Sequence, residues 1–233
     1  MKTVGIIGGI GPESTVEYYR LLIASYREQK QDGSYPSIII NSINLTKLVD
    51  LITANELAEA TVYLLGEVRK LARAGADFGL LAANTPHIVF NEIRRDSPIP
   101  LISIVRATCE AAKDSGLSRL ALFGTRFTMQ AGFYQEVFSE EAIELILPDK
   151  GEQAYIHGKY MNELLKGIFL PETRAGLLAI AARLKKDEGI EGLILGGTEL
   201  PLILRDTDAK EVGIPFLDTT RIHVKSVIAQ LLS

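Results

Sequence analysis

Four short segments of this chain carry side chains and backbone groups suited to gripping a small anion. Gly8-Gly9-Ile10-Gly11-Pro12-Glu13-Ser14-Thr15 follows an apolar run and precedes a segment of helical period, Val16 to Tyr26. Its glycines let the backbone approach a ligand, and the N–H groups at a helix start favour a carboxylate or phosphate. It is not a dinucleotide fingerprint, because no G-x-G-x-x-G is present and Pro12 removes one N–H. A tight strand-to-helix turn accounts for the same residues without any ligand. Ala83-Asn84-Thr85-Pro86-His87 lies just past another apolar run, where Asn84 and Thr85 could orient a carboxylate through side-chain and backbone donors. The competing reading is a helix cap, since proline suits the first helical turn. His87 is a candidate acid or base, although a single histidine without an orienting partner reads equally as packing.

Gly196-Gly197-Thr198-Glu199 and Gly124-Thr125-Arg126-Phe127-Thr128 complete the set. Thr198, Thr125 and Thr128 offer hydroxyls to a carboxylate, and Glu199 is a second candidate acid or base; capping explains each of these threonines as well. Lys47 and Lys166 are candidates for a positive charge over the site, though isolated lysines are usually solvated surface. No cluster of metal-ligand type occurs along the chain.

The elements that must position these groups alternate. Short apolar runs ending in glycine or small polar residues, such as Val4 to Ile7 and Phe78 to Ala82, are separated by helical segments. This is the pattern of a parallel α/β fold. Leu57, Thr61, Leu64, Leu65, Val68, Leu71 and Ala72 define one apolar helix face. Thr53 with Glu56 predicts a capping box before it, and Gly75 predicts the stop.

The chain also repeats itself. Thr3-Val4-Gly5-Ile6-Ile7-Gly8 resembles Arg119-Leu120-Ala121-Leu122-Phe123-Gly124, an offset of 116. The stretch from Gly75 to Thr85 resembles that from Gly189 to Glu199 at an offset of 114, and Ile99-Pro100-Leu101-Ile102 resembles Ile214-Pro215-Phe216-Leu217 at 115. Three matches in one order at nearly one spacing predict a duplication. We therefore expect two similar lobes, each with a parallel sheet flanked by helices, and an active-site cleft between them. The expected division is 1–103 plus 216–233 for lobe one and 104–215 for lobe two. Ala83 and Gly197 then face the site from opposite sides.

Composition bounds the partners. The 233 residues are 47% hydrophobic and 23% charged, ordinary values for a globular chain. Lys and Arg number 25 against 29 Asp and Glu, a net charge of −4, which is the wrong sign for a nucleic-acid footprint. The glycine-broken N-terminal run is too short for a membrane span and lacks a cleavage site, so no membrane partner is expected. The sole cysteine, Cys109, excludes an intramolecular disulfide and fits a reducing cytoplasm.

Taken together, the Gly8 to Thr15 loop, Ala83-Asn84-Thr85-Pro86-His87, Gly124-Thr125, Gly196-Gly197-Thr198-Glu199 and the closing Asp218 resemble the aspartate/glutamate racemase family, the PLP-independent amino-acid racemases. The resemblance spans essentially the whole chain. It implies two α/β lobes, a small carboxylate or amino-acid ligand, no cofactor and no metal, and a homodimer. It also implies α-proton abstraction by one cysteine and reprotonation by a second on the opposite face. Those cysteines precede Asn-Thr and Thr-Glu in the family pattern, and here the positions read Ala83 and Gly197. Neither carries a proton, so two-thiol racemisation is excluded, and losing one positioned acid or base costs about 100- to 10,000-fold.

The resemblance therefore leaves a racemase with non-standard or lost activity. Glu199 or His87 would serve as the remaining proton carriers, and Gly9, Ser14, Lys47, Asn84, Thr85, Thr125, Thr128, Lys166 and Thr198 would bind substrate. The alternative is a non-catalytic protein that binds a small carboxylate or amino acid. A third reading, removal of both thiols by engineering, leaves no trace in residue types.

Overall fold

The computed structural model describes residues 2–233. They form two compact units, one made of the chain through Ile104 together with His223–Ser233, the other of Val105–Ile222. The first unit runs β1 (Thr3–Gly8), α1 (Pro12–Lys30), β2 (Ser37–Ser42), α2 (Leu45–Thr53), α3 (Leu57–Arg73), β3 (Phe78–Leu81), α4 (Phe90–Asp96) and β4 (Leu101–Ile102), with a 3₁₀ turn at Thr85–Val89. The chain then passes through α5 (Ile104–Asp114), β5 (Arg119–Gly124), α6 (Arg126–Gln130), α7 (Phe133–Ser139), β6 (Glu144–Ile146), α8 (Lys150–Asn162) and α9 (Pro171–Glu188). It continues through β7 (Gly192–Gly196), α10 (Leu200–Ile203), α11 (Asp206–Val212), β8 (Phe216–Asp218) and α12 (Thr219–Leu232).

Each unit holds one four-stranded sheet, ordered β2-β1-β3-β4 in the first and β6-β5-β7-β8 in the second, with every pair parallel. The three sequence matches therefore fall on strands in corresponding places. Parallel neighbours need crossover helices, which cover both faces of the sheet. The central strands β3 and β7 are accordingly buried at every residue.

In β1, Val4 and Ile6 pack with Tyr18, Leu22 and Tyr26 of α1, with Phe78 and Leu80 of β3, and with Val224, Val227 and Ile228 of α12. Gly5 points to the other face, where a Cβ would come 2.9 Å from the Cβ of Ala76 and 3.0 Å from Leu71. The glycine thus lets α3 lie close against the strand.

Three local expectations are corrected. Residues 216–222 belong to the second unit, because β8 completes its sheet through Leu193↔Phe216, Ile194↔Leu217 and Leu195↔Asp218. The chain returns to the first unit at His223. Thr53 is no capping box for α3: it ends α2, Asn55 turns the chain at φ 59°, and the N-cap is Glu56 without a side-chain cap. Helix α1 starts at Pro12, earlier than Val16, because proline presets the first helical residue and lacks an N–H that would be orphaned there.

A buried polar chain ties the returning helix to the first sheet. The hydroxyl of Tyr18 lies 2.8 Å from His223 Nδ1, and His223 Nε2 donates to the Ile102 carbonyl at 3.0 Å. The carbonyl can only accept, so Nε2 carries the hydrogen and Nδ1 accepts from the phenol. Tyr18→Phe leaves that nitrogen without its phenol donor in a dry interior and is expected to cost about 1–3 kcal/mol in urea unfolding.

Candidate functional site

In the first unit the candidate residues cluster at the C-terminal ends of β1 and β3, where open α/β sheets bind ligands. The backbone of the glycine loop is largely committed. Gly9 N–H donates to the Thr15 hydroxyl at 2.9 Å, and that hydroxyl donates to the Gly11 carbonyl at 3.2 Å. Gly9 has φ +77°, and a Cβ there would meet the Ile43 carbonyl at 2.5 Å and the Ser42 hydroxyl at 2.6 Å. Ser14 is buried within α1. The turn reading therefore explains the loop without a ligand.

After β3, Ala83 is 6% exposed and Asn84 is buried, while Thr85 is half-buried at the start of the 3₁₀ turn with Pro86 inside it. His87 is 4% exposed and stacks on Phe90 with ring centroids 4.7 Å apart. Its Nδ1 donates to the Ala83 carbonyl at 3.1 Å, and its Nε2 accepts from Ile104 N–H at 3.3 Å. Both nitrogens are spent on backbone. Burial, reinforced by nearby His223, lowers its pKa from 6.5 to about 3. His87 is thus a neutral clamp on the crossover segment, with both ring nitrogens bonded to backbone.

Lys47 is exposed, with Nζ 4.3 Å from the Tyr63 ring centroid, and it lines a recess of about 400 Å³ with Asn44, Asp50 and Leu51. It thus has a cation–π partner within its own unit.

In the second unit Thr125 and Thr128 form a helix start. The Thr125 hydroxyl caps α6 by accepting from Thr128 N–H at 3.2 Å, and the two hydroxyls lie 3.2 Å apart. Thr128 wedges against the ends of β5 and β7, where a Cβ on Gly124 would come 3.0 Å from its Cβ and one on Gly196 would come 3.2 Å from its methyl. Lys166 is exposed at the end of a short 3₁₀ turn. Asp218 caps α12, accepting from Thr220 N–H at 2.9 Å and Arg221 N–H at 3.0 Å. Cys109 is buried in α5, where its thiol lies 3.7 Å from the Val137 carbonyl. Burial and the Glu141 charge push its pKa up to about 11, so it is no thiolate nucleophile.

The end of β7 is different. Glu199 is 1% exposed, and its Oε2 accepts from the Tyr160 hydroxyl and from the Thr198 hydroxyl at 3.2 Å. Tyr160, 4% exposed on α8, lies over Gly197. A Cβ built on Gly197 would meet Tyr160 Cζ and Oη, each at 2.8 Å, and Cε2 closer still. Burial and the Glu199 carboxylate hold the phenol well above its usual pKa, so it stays protonated. Tyr160 escapes sequence reasoning. With Gln153 and Ile156 it forms the buried face of α8, where a tyrosine reads as core.

Among the described residues there is no group of three or more His, Cys, Asp and Glu side chains that could hold a metal ion, and no helix long and apolar enough to cross a membrane.

Two parallel sheets of one strand order, with polar motifs at matching strand ends, define a duplicated α/β protein of racemase type. The chain belongs to the Asp/Glu/hydantoin racemase family, whose model matches residues 7–227. It is 26% identical over 236 residues to the broad specificity amino-acid racemase RacX of Bacillus subtilis, covering 99% of this chain and 98% of that one. Its structure resembles an aspartate racemase homologue of Pyrococcus horikoshii OT3 at 34% identity, with a TM-score of 0.85 and complete coverage of both chains. An aspartate racemase of Picrophilus torridus shares the fold at 23% identity and a TM-score of 0.76, over 99% of this chain and 94% of that one.

Proposed function

We propose that this racemase-family chain binds a small amino acid or related carboxylic acid at its strand ends and acts on the α-proton without a pair of thiols. The observation that carries this reading is the buried carboxylate of Glu199 with a phenol and a hydroxyl donating to it, beside the Gly197 backbone. A carbanion next to a carboxylate needs its charge held by nearby donors, and a base aimed at the α-carbon. In this reading Asn84 and Thr85 offer donors at the end of β3, and at the end of β7 the Thr198 hydroxyl holds the Glu199 carboxylate in place. The family resemblance adds a cytoplasmic homodimer without cofactor.

The test is α-proton exchange in D₂O, followed by proton NMR, with both enantiomers of aspartate, glutamate, alanine, lysine and malate, alongside thermal melts. A ligand at 100 times its Kd should stabilise the fold by about 2.7 kcal/mol. Exchange above background with at least one acid, accompanied by such stabilisation, is the expected result. Stabilisation without exchange leaves only binding, and neither effect across the panel removes the reading.

A further inference from the structure

We infer that Tyr160 stands in for the second unit's thiol: its phenol passes the α-proton, with Glu199 as the base behind it. This rests on the reading just given. The geometry is specific to position 197. A cysteine there would project its sulfur from a Cβ that lies 2.8 Å from Tyr160 Oη, so the phenol oxygen occupies the space a thiol would use. Tyr160 and Glu199 are both almost fully buried, and the Thr198 hydroxyl donates to the same carboxylate oxygen as the phenol. A water-poor setting strengthens such hydrogen bonds and holds the pair in place before reaction.

The step balances within this pair. The α-carbon to hydrogen bond breaks and its proton goes to Tyr160 Oη, while the phenol's own proton moves to Glu199 Oε2. The electron pair stays on the α-carbon and spreads into the substrate carboxylate. The reverse transfer returns a proton to the same face. Between turnovers the proton on Glu199 exchanges with solvent, so deuterium enters from D₂O. A single phenol and carboxylate pair reaches only one face of the α-carbon. The chain should therefore exchange the α-proton of one enantiomer and leave its handedness intact.

The closing experiment follows exchange by NMR and enantiomeric composition by chiral chromatography for L- and D-aspartate and L- and D-glutamate. It uses the wild type, Glu199→Gln and Tyr160→Phe, with a thermal melt of each protein with and without ligand. Glu199→Gln keeps the shape and an acceptor for the phenol, so it should fold. The expected result is exchange in one enantiomer without racemisation in the wild type. That exchange should fall at least about 100-fold in both variants, with ligand stabilisation retained. Exchange that persists in Glu199→Gln, racemisation by the wild type, or ligand stabilisation without exchange in the wild type overturns the relay and leaves binding standing. Absence of both stabilisation and exchange in the wild type overturns the underlying reading itself.

Discussion

Between about pH 6 and 5 the protein is expected to lose roughly 2–3 kcal/mol of unfolding free energy per pH unit through two buried histidines that the unfolded chain protonates and the folded chain does not. His87 and His223 have pKa values lowered from 6.5 to about 3 and about 4, both chiefly by burial. Each therefore stays neutral in the folded chain at a pH where the unfolded chain binds a proton. The stabilisation is complete above pH 6.5 and drains as pH falls, ending near 4 for His223 and near 3 for His87. The geometry gives the same sign at His87, where protonation would aim an N–H at the Ile104 N–H; at His223 it would turn the Tyr18 hydroxyl from donor to acceptor. Urea unfolding at pH 7, 6, 5 and 4.5 measures the slope. His87→Asn, which does not titrate, should lower stability at pH 7 and remove about half of that slope; an unchanged slope would show that the acid sensitivity lies elsewhere.

Placing cysteines at 83 and 197, where the family resemblance implies thiols, is expected to give racemisation only when Tyr160 is also cut back. Gly197→Cys by itself puts a Cβ against a buried ring, with Cζ and Oη at 2.8 Å, and overpacking of this kind costs about 1–3 kcal/mol. Its racemisation should stay at background. Ala83→Cys with Gly197→Cys should do no better while the phenol fills the thiol's space. Adding Tyr160→Ala opens that space at a cost of about 3 kcal/mol or more, judged from losses of buried aromatic rings. Racemisation of aspartate should then rise about 100- to 10,000-fold over the double variant. The decay of circular dichroism from L-aspartate measures it. Equal activity in the double and triple variants would show that Tyr160 does not exclude a thiol.

Much of the architecture was legible because it is local or repetitive. Strands β1, β3, β5 and β7 announce themselves as apolar runs, α3 by its three-and-four spacing, and the duplication by offsets near 115 that recur as one strand order in both sheets. Parallel pairing follows from such alternation, since each strand must be joined to the next by a covering helix. Residue type alone also says that Ala83 and Gly197 carry no titratable proton.

What surrounds those positions could not be read along the chain. Gly9, Thr125 and Asp218 read as ligand-binding or family-motif residues, and each also holds a turn or a helix cap. The same hydroxyls, carboxylates and glycines serve both purposes, and only the partner atom decides between them. His87 became a neutral clamp when Ile104, 17 residues on, closed against its second nitrogen. Tyr160 meets Glu199 across 39 residues. No spacing rule links a helix position to a strand end that far away, because packing of one against the other is set by the whole sheet. The sequence by itself determined the duplicated α/β frame and that positions 83 and 197 carry no thiol. Only tertiary structure decided that a phenol bonded to a buried carboxylate lies against Gly197, because side-chain volume is filled by whatever neighbour the fold brings there.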